Sequence, residues 1–187
     1  DKGGDENNHL YVRELNGVEK DLTPGDKLKA QFAGWHPDGV AFYVMTNERD
    51  PKFFDLYRYD AKSYARTMLF KNEKGLDVET VSRDEKWIGL NKTNTTLDSD
   101  IYVYDVAKAE LKHISPHTGS VKFASETFDP ASKRLFFLTD EGSEFARLKT
   151  YELATGTIKE HEKADWDIAY TYFSRDGRYR VTGINAD

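Results

Sequence analysis

Residues 31–70 read QFAGWHPDGVAFYVMTNERDPKFFDLYRYDAKSYARTMLF. Four strand signals follow one another in this stretch. Gln31 to His36 forms a short first strand. Pro37-Asp38-Gly39 then turns the chain, because Pro fixes φ and Gly accepts a positive one. VAFYVMT, from Val40 to Thr46, is apolar on both faces and reads as a buried second strand. A polar loop is expected from Asn47 to Lys52, and FFDLYRY is the third strand. Ala61-Lys62-Ser63 turns again, and YARTMLF is a fourth strand, more polar and more exposed.

Working outward, the same order recurs. Aromatic strands ending in an acid appear as HLYVRE, DLYRYD, DIYVYD and RLKTYE. Their final residues Glu14, Asp60, Asp105 and Glu152 are 46, 45 and 47 residues apart. The strand-joining turns WHPDGV, VSRDEKW, FDPASKRL and FSRDGRY begin at Trp35, Val81, Phe128 and Phe173, spaced 46, 47 and 45 residues. Two anchors that keep step at this period describe a repeat of four strands, which predicts an all-β fold: a β-propeller of four-stranded antiparallel blades. No segment shows a helical period. The blades are expected at 31–70, 78–115 and 123–160, within one propeller domain spanning 1–187.

The two ends carry halves of the unit. Residues 9–22 match only third and fourth strands, and residues 168–184 only first and second. An unpaired strand edge invites pairing. The half-blades are therefore expected to join, placing Tyr11 and Val12 beside the strand around Arg178 to Thr182. The join closes a ring of four within one chain or builds a homodimer between two. The dimer is favoured, because closing at four would strain blades packed for a wider ring.

Composition narrows the function. The net charge is −6 and no basic stripe is present, which argues against nucleic-acid binding. There is no cysteine, so disulfides and thiolate metal sites are ruled out. No stretch approaches the roughly 20 apolar residues of a membrane helix, and no membrane partner is expected. The chain opens at Asp1 without an initiator Met or a signal-like segment, as expected of a processed or excised piece.

The chemistry-bearing residues do not assemble a catalytic motif. No serine stands in G-x-S-x-G; Ser143 in DEGSEF lacks the second Gly and reads as a loop cap. His113 and His117 are four apart but flank Pro116, which excludes a helical metal pair. His36 precedes the turn Pro and reads as turn packing. LDSDIY lacks the Gly and distal Glu of a calcium loop. Asn91 and Asn94 head formal glycosylation sequons. Trp35, Trp87 and Trp166 read as packing between blades. No metal or other cofactor is expected.

What remains is a set of polar residues between second and third strands: Asn47, Glu48, Arg49 and Asp50; Asp98 and Asp100; Asp140, Glu141 and Glu144. The plain reading is a solvated rim. The functional reading is a rim that meets a peptide or protein and selects basic or amino-terminal groups by charge, since loops on rigid scaffolds carry recognition.

FSRDGRY and DIYVYD resemble the TolB-type propeller repeat. The strings TNERDPKFFDLYRYD, KTNTTLDSDIYVYD and LTDEGSEFARLKTYELATG are similar to the propeller of bacterial prolyl-oligopeptidase-family serine peptidases, and the likeness covers nearly the whole chain. That resemblance implies a propeller that precedes an α/β-hydrolase domain and restricts peptide access to its catalytic chamber. It implies a parent serine peptidase acting on peptides, in the periplasm or outside the cell. The family's Ser, Asp and His lie in the hydrolase domain, which has no counterpart in these residues. The chain alone is therefore expected to be non-catalytic. The alternative is a stand-alone TolB-like propeller that binds a protein or peptide partner.

Overall fold

A computed structural model describes residue 4 and residues 6–186; Asp1, the opening residue noted above, lies outside them. Among the described residues there is no helix, and every sheet is antiparallel. The chain divides into two compact units, Asp1–Gly75 and Leu76–Asp187.

The first unit holds β1 (Tyr11–Arg13) and β2 (Glu19–Asp21), then the blade β3 (Ala30–Trp35), β4 (Ala41–Asp50), β5 (Phe53–Asp60) and β6 (Arg66–Phe70). The second holds the blade β7 (Asp77–Val81), β8 (Trp87–Thr95), β9 (Asp98–Asp105) and β10 (Glu110–His113). The blade β11 (Phe123–Phe128), β12 (Arg134–Thr139), β13 (Arg147–Glu152) and β14 (Ile158–Glu162) follows, then the pair β15 (Asp167–Phe173) and β16 (Arg180–Asn185). Each blade is a meander in chain order. The structure is thus a β-propeller chain of three blades and two half-blades.

The turns between first and second strands explain the repeat. Ser82 Oγ bonds Asp84 Oδ1 at 2.7 Å and accepts from Trp87 N at 3.0 Å. Ser174 does the same with Asp176 and Tyr179 at 2.6 and 3.0 Å. In the remaining blades His36 bonds Asp38, and Asp129 accepts from the amides of Lys133 and Arg134. Gly177, in the turn of β15–β16, has φ 73°, and a Cβ there would lie 2.9 Å from Pro130. Glycine is required on both counts.

Each first strand also carries a bulge at the same place: at Ala33, Glu79, Glu126 and Ala169. A bulge bends a strand and increases its twist. Glu126 uses its bulged position to accept from Thr171 N at 3.0 Å. Burial pushes the Glu126 carboxyl up, against that hydrogen bond and with the charge of Glu79 adding to it.

The second strands of the three whole blades are the core, buried on both faces as their sequence requires. Leu135 and Phe137 pack with Ile101, Val103, Phe123 and Tyr151. Phe136 and Leu138, on the opposite face of β12, pack with Leu148 and Ile168. In the first unit Phe42, Val44, Tyr57 and Tyr59 form the equivalent cluster, with Leu10 and Leu22 against it.

Two expectations are corrected. The stretch Asn47–Lys52 is not a loop: β4 runs to Asp50, as β8 runs to Thr95, because each hairpin extends its ladder almost to the turn. Trp35 and Trp166 are not buried between blades: they are 61% and 42% exposed, Trp35 meeting the Phe42 ring of its own blade edge-on at 5.3 Å, while Trp87 packs against the core of the second unit. Within the half-blades, Tyr11 and Val12 pair with Asp21 and Lys20, and Arg180 to Thr182 pair with Phe173 to Thr171.

Candidate functional site

The polar residues singled out from the sequence fall into three places. In the first unit, Asn47 Oδ1 accepts from Lys29 N at 2.6 Å, and Asp50 Oδ1 accepts from Lys52 N in the hairpin turn at 3.0 Å. Arg49 turns inward and grips the buried Asp55. Glu48 pairs with Arg66 at 2.9 Å, and that guanidinium lies over the Tyr57 ring at 4.9 Å. Burial and the neighbouring Glu48 push the Tyr57 hydroxyl up to about 12. A groove of about 670 Å³ runs beside these groups, lined by residues 24–28, Asn47, Glu48, Arg49, Pro51 and Tyr57.

In the second unit, Asp98 and Asp100 stand at the β8–β9 hairpin, bridged by Asn94 Nδ2 at 3.1 and 2.9 Å. Two histidines converge on them. His113 Nε2 lies 2.7 Å from Asp100 Oδ1, and His117 Nε2 lies 2.8 Å from Asp98 Oδ1. Hydrogen bonds, foremost from His117 and then from Val121 N, hold the Asp98 carboxyl below its usual range. Burial alone would raise Asp100, but hydrogen bonds from Asn94 and His113 outweigh it. His113 and His117 share no helix face. Here β10 and the segment after it bring them together instead. No group of three or more metal-ligating side chains is arranged for an ion among the described residues.

The third place is the β12–β13 loop, residues 140–146. Asp140 accepts from Lys122 N at 2.8 Å and Glu141 pairs with Lys149 at 2.8 Å, while Ser143 accepts from Arg147 as a loop cap. Glu144 is exposed. Asp140 and Glu144 line a groove of about 640 Å³ whose floor is Leu138, Ile168, Tyr170 and Ile184. Asp167, whose Oδ1 accepts from Ala146 N at 2.7 Å, and Lys122 also line it. Lys122, Asp167 and Tyr170 were missed from sequence because they come from a connecting segment and from another strand, β15. No local pattern marks them.

Blades repeating every 46 residues, buried second strands and polar hairpins over open grooves define a TolB-like β-propeller. No family model matches the sequence. Over 75 residues the chain is 45% identical to dipeptidyl aminopeptidase BIII of Pseudoxanthomonas mexicana, a stretch that is 39% of this chain and 11% of that protein. The fold is similar to TolB of Acinetobacter baumannii, with a TM-score of 0.63 at 19% identity over 93% of this chain and 42% of TolB. It is also similar to a prolyl endopeptidase, at 0.55 and 15% identity over 90% of this chain and 35% of that one. The resemblance to TolB and prolyl-oligopeptidase-family propellers therefore holds. The chain spans about a tenth of the curated relative's length in the matched stretch and less than half of these two solved chains.

Proposed function

We propose that this chain is the propeller of a prolyl-oligopeptidase-family serine peptidase, that it admits peptides to a hydrolase domain elsewhere in a longer polypeptide, and that it turns over no substrate by itself. The observation that carries the reading is the 45% identity to dipeptidyl aminopeptidase BIII. The acid-rimmed groove of Asp140, Glu144 and Asp167 is the part suited to a peptide, with charge for a basic or amino-terminal group and an apolar floor for a side chain. Asp98, Asp100 and Glu141 lend further negative charge to the same unit. A stand-alone TolB-like binding module is the second reading, and it rests on the fold alone.

The test has two arms. In the longer reading frame, an α/β pattern with G-x-S-x-G supports the peptidase reading, and its absence supports the binding module. In the full enzyme, Asp140→Lys with Glu144→Lys should lower kcat/KM for peptides with basic amino-terminal residues several-fold relative to neutral ones. Unchanged ratios across the panel would remove the groove from the proposal.

A further inference from the structure

We propose that His117 is a protonation-dependent clamp that fastens the β8–β9 hairpin to the segment crossing from β10 to β11, holding as the imidazolium and releasing as the ring loses its proton. This goes beyond the proposed function and does not depend on it.

The geometry selects the charged ring. His117 Nδ1 lies 2.8 Å from the Ser115 carbonyl oxygen, and Nε2 lies 2.8 Å from Asp98 Oδ1. A carbonyl and an ionised carboxylate only accept, whereas a neutral imidazole has a single N–H to give. Both hydrogen bonds exist together only when both nitrogens carry protons. The side chain is 8% exposed, so water is poorly placed to serve the nitrogen left without a partner.

The groups around the ring favour the same state. Asp98 faces it from β9, and Asp100 Oδ1 lies 3.7 Å from Nδ1. Asn94 reaches both carboxylates from β8 and carries no charge. From β10, His113 faces Asp100 rather than His117, and Lys112 lies over the Tyr151 ring. From β11 the Phe123 ring packs on His117 with centroids 5.2 Å apart. The His117 pKa is raised, first by the Ser115 carbonyl and then by Asp98. A raised folded pKa adds stability that is fully present below the ordinary histidine value and is lost as pH rises through the folded one.

The clamp holds more than itself. Asp98 also accepts from Val121 N at 3.3 Å, and Ser99 N donates to Val121 O at 3.0 Å. Phe123 N donates to Ser99 Oγ at 2.9 Å. Between them, Lys122 N donates to Asp140, so the same segment reaches the rim of the acid-lined groove. Releasing His117 loosens the crossing segment at the point where two acidic hairpins meet it.

The test is amide hydrogen exchange of the 187-residue chain, corrected for intrinsic exchange, between about pH 5.5 and 8.5. Protection at Ser99 and Val121 should fall roughly tenfold more than at β12 amides as pH rises, the equivalent of one lost charge-assisted hydrogen bond. His117→Gln should show the low protection at every pH, and His113→Gln should keep the step. Should His117→Gln fail to fold, Asp98→Asn serves instead: it keeps an acceptor for Val121 N and should move the step to lower pH. Nitrogen-15 spectra of the imidazoles should show both His117 nitrogens protonated at a pH where His161 is neutral. A flat protection profile, a step surviving in His117→Gln, a step unmoved in Asp98→Asn, or a neutral His117 near pH 6 would overturn the proposal.

Discussion

Arg49 holds Asp55 with two parallel hydrogen bonds, Nε to Oδ2 at 2.6 Å and Nη2 to Oδ1 at 2.9 Å, and Asp55 is wholly buried. Arg49 Nη2 also donates to the Asn72 carbonyl at 2.7 Å, and Asn72 N donates back to Asp55 Oδ1 at 2.7 Å. The carboxylate thus ties the β4–β5 hairpin to the strand exit after β6. A residue that reads as a rim cation is a structural strut.

Asp55→Ala should therefore cost about 3 kcal/mol, since it strands the Asn72 amide and the inward-turned guanidinium. Arg49→Lys should cost less but not nothing, because an ammonium cannot reproduce the paired geometry. Urea midpoints of the first unit's transition check both. Equal midpoints for wild type and Asp55→Ala would show that the cluster is not structural.

Gly89 on β8 lets Leu135 of the next blade come close. A Cβ at residue 89 would lie 2.8 Å from Thr80 Cγ2 and 3.3 Å from Leu135 Cδ1. Gly89→Ala should destabilise the second unit by about 1–3 kcal/mol through overpacking. Combining it with Leu135→Val should cost less than the sum of the two changes, because the second relieves the first. Strict additivity in thermal or urea unfolding would place the strain elsewhere.

His161 titrates in the opposite sense to His117. Its ring packs edge-on against Phe136 at 4.9 Å, and burial, then the charge of Arg180, lowers its pKa from 6.5. The folded state then binds fewer protons than the unfolded one. Stability is present above pH 6.5 and is lost as pH falls through the window between that value and the lower folded one. His161→Phe should flatten this acid-side loss and leave stability at pH 8 little changed. An identical slope on the acid side in wild type and variant would exclude His161 as its source.

β1 and β16 each keep one edge without a ladder partner in their own sheets. We expect a second copy to supply it, Tyr11 and Val12 of one chain lying beside Arg180 to Thr182 of the other, because two-stranded sheets are marginal alone. Light scattering at micromolar concentration should then give twice 21.5 kDa. A mass of one chain removes the dimer, and a proline at Val181 should abolish a dimer built on this edge.

The repeat is written in local sequence: its period, its four strands, its turns and the half-units at the ends. Those signals are local. A turn such as SRDGRY, or a run such as VAFYVMT buried on both faces, is specified by residues within a few positions of one another. Hairpin length was less legible, because polar Asn47 to Asp50 and Lys92 to Thr95 look like loop, and only the partner strand across the turn satisfies their backbone as ladder. The site was decided by tertiary structure. His113 and His117 meet Asp100 and Asp98 because β10 and the crossing segment return beside β9, and Asp140 meets Asp167 and Tyr170 because β15 packs against the third blade. Charges that sequence reading sets on a solvated rim were likewise turned inward wherever a buried partner, such as Asp55 for Arg49, gave more than water could.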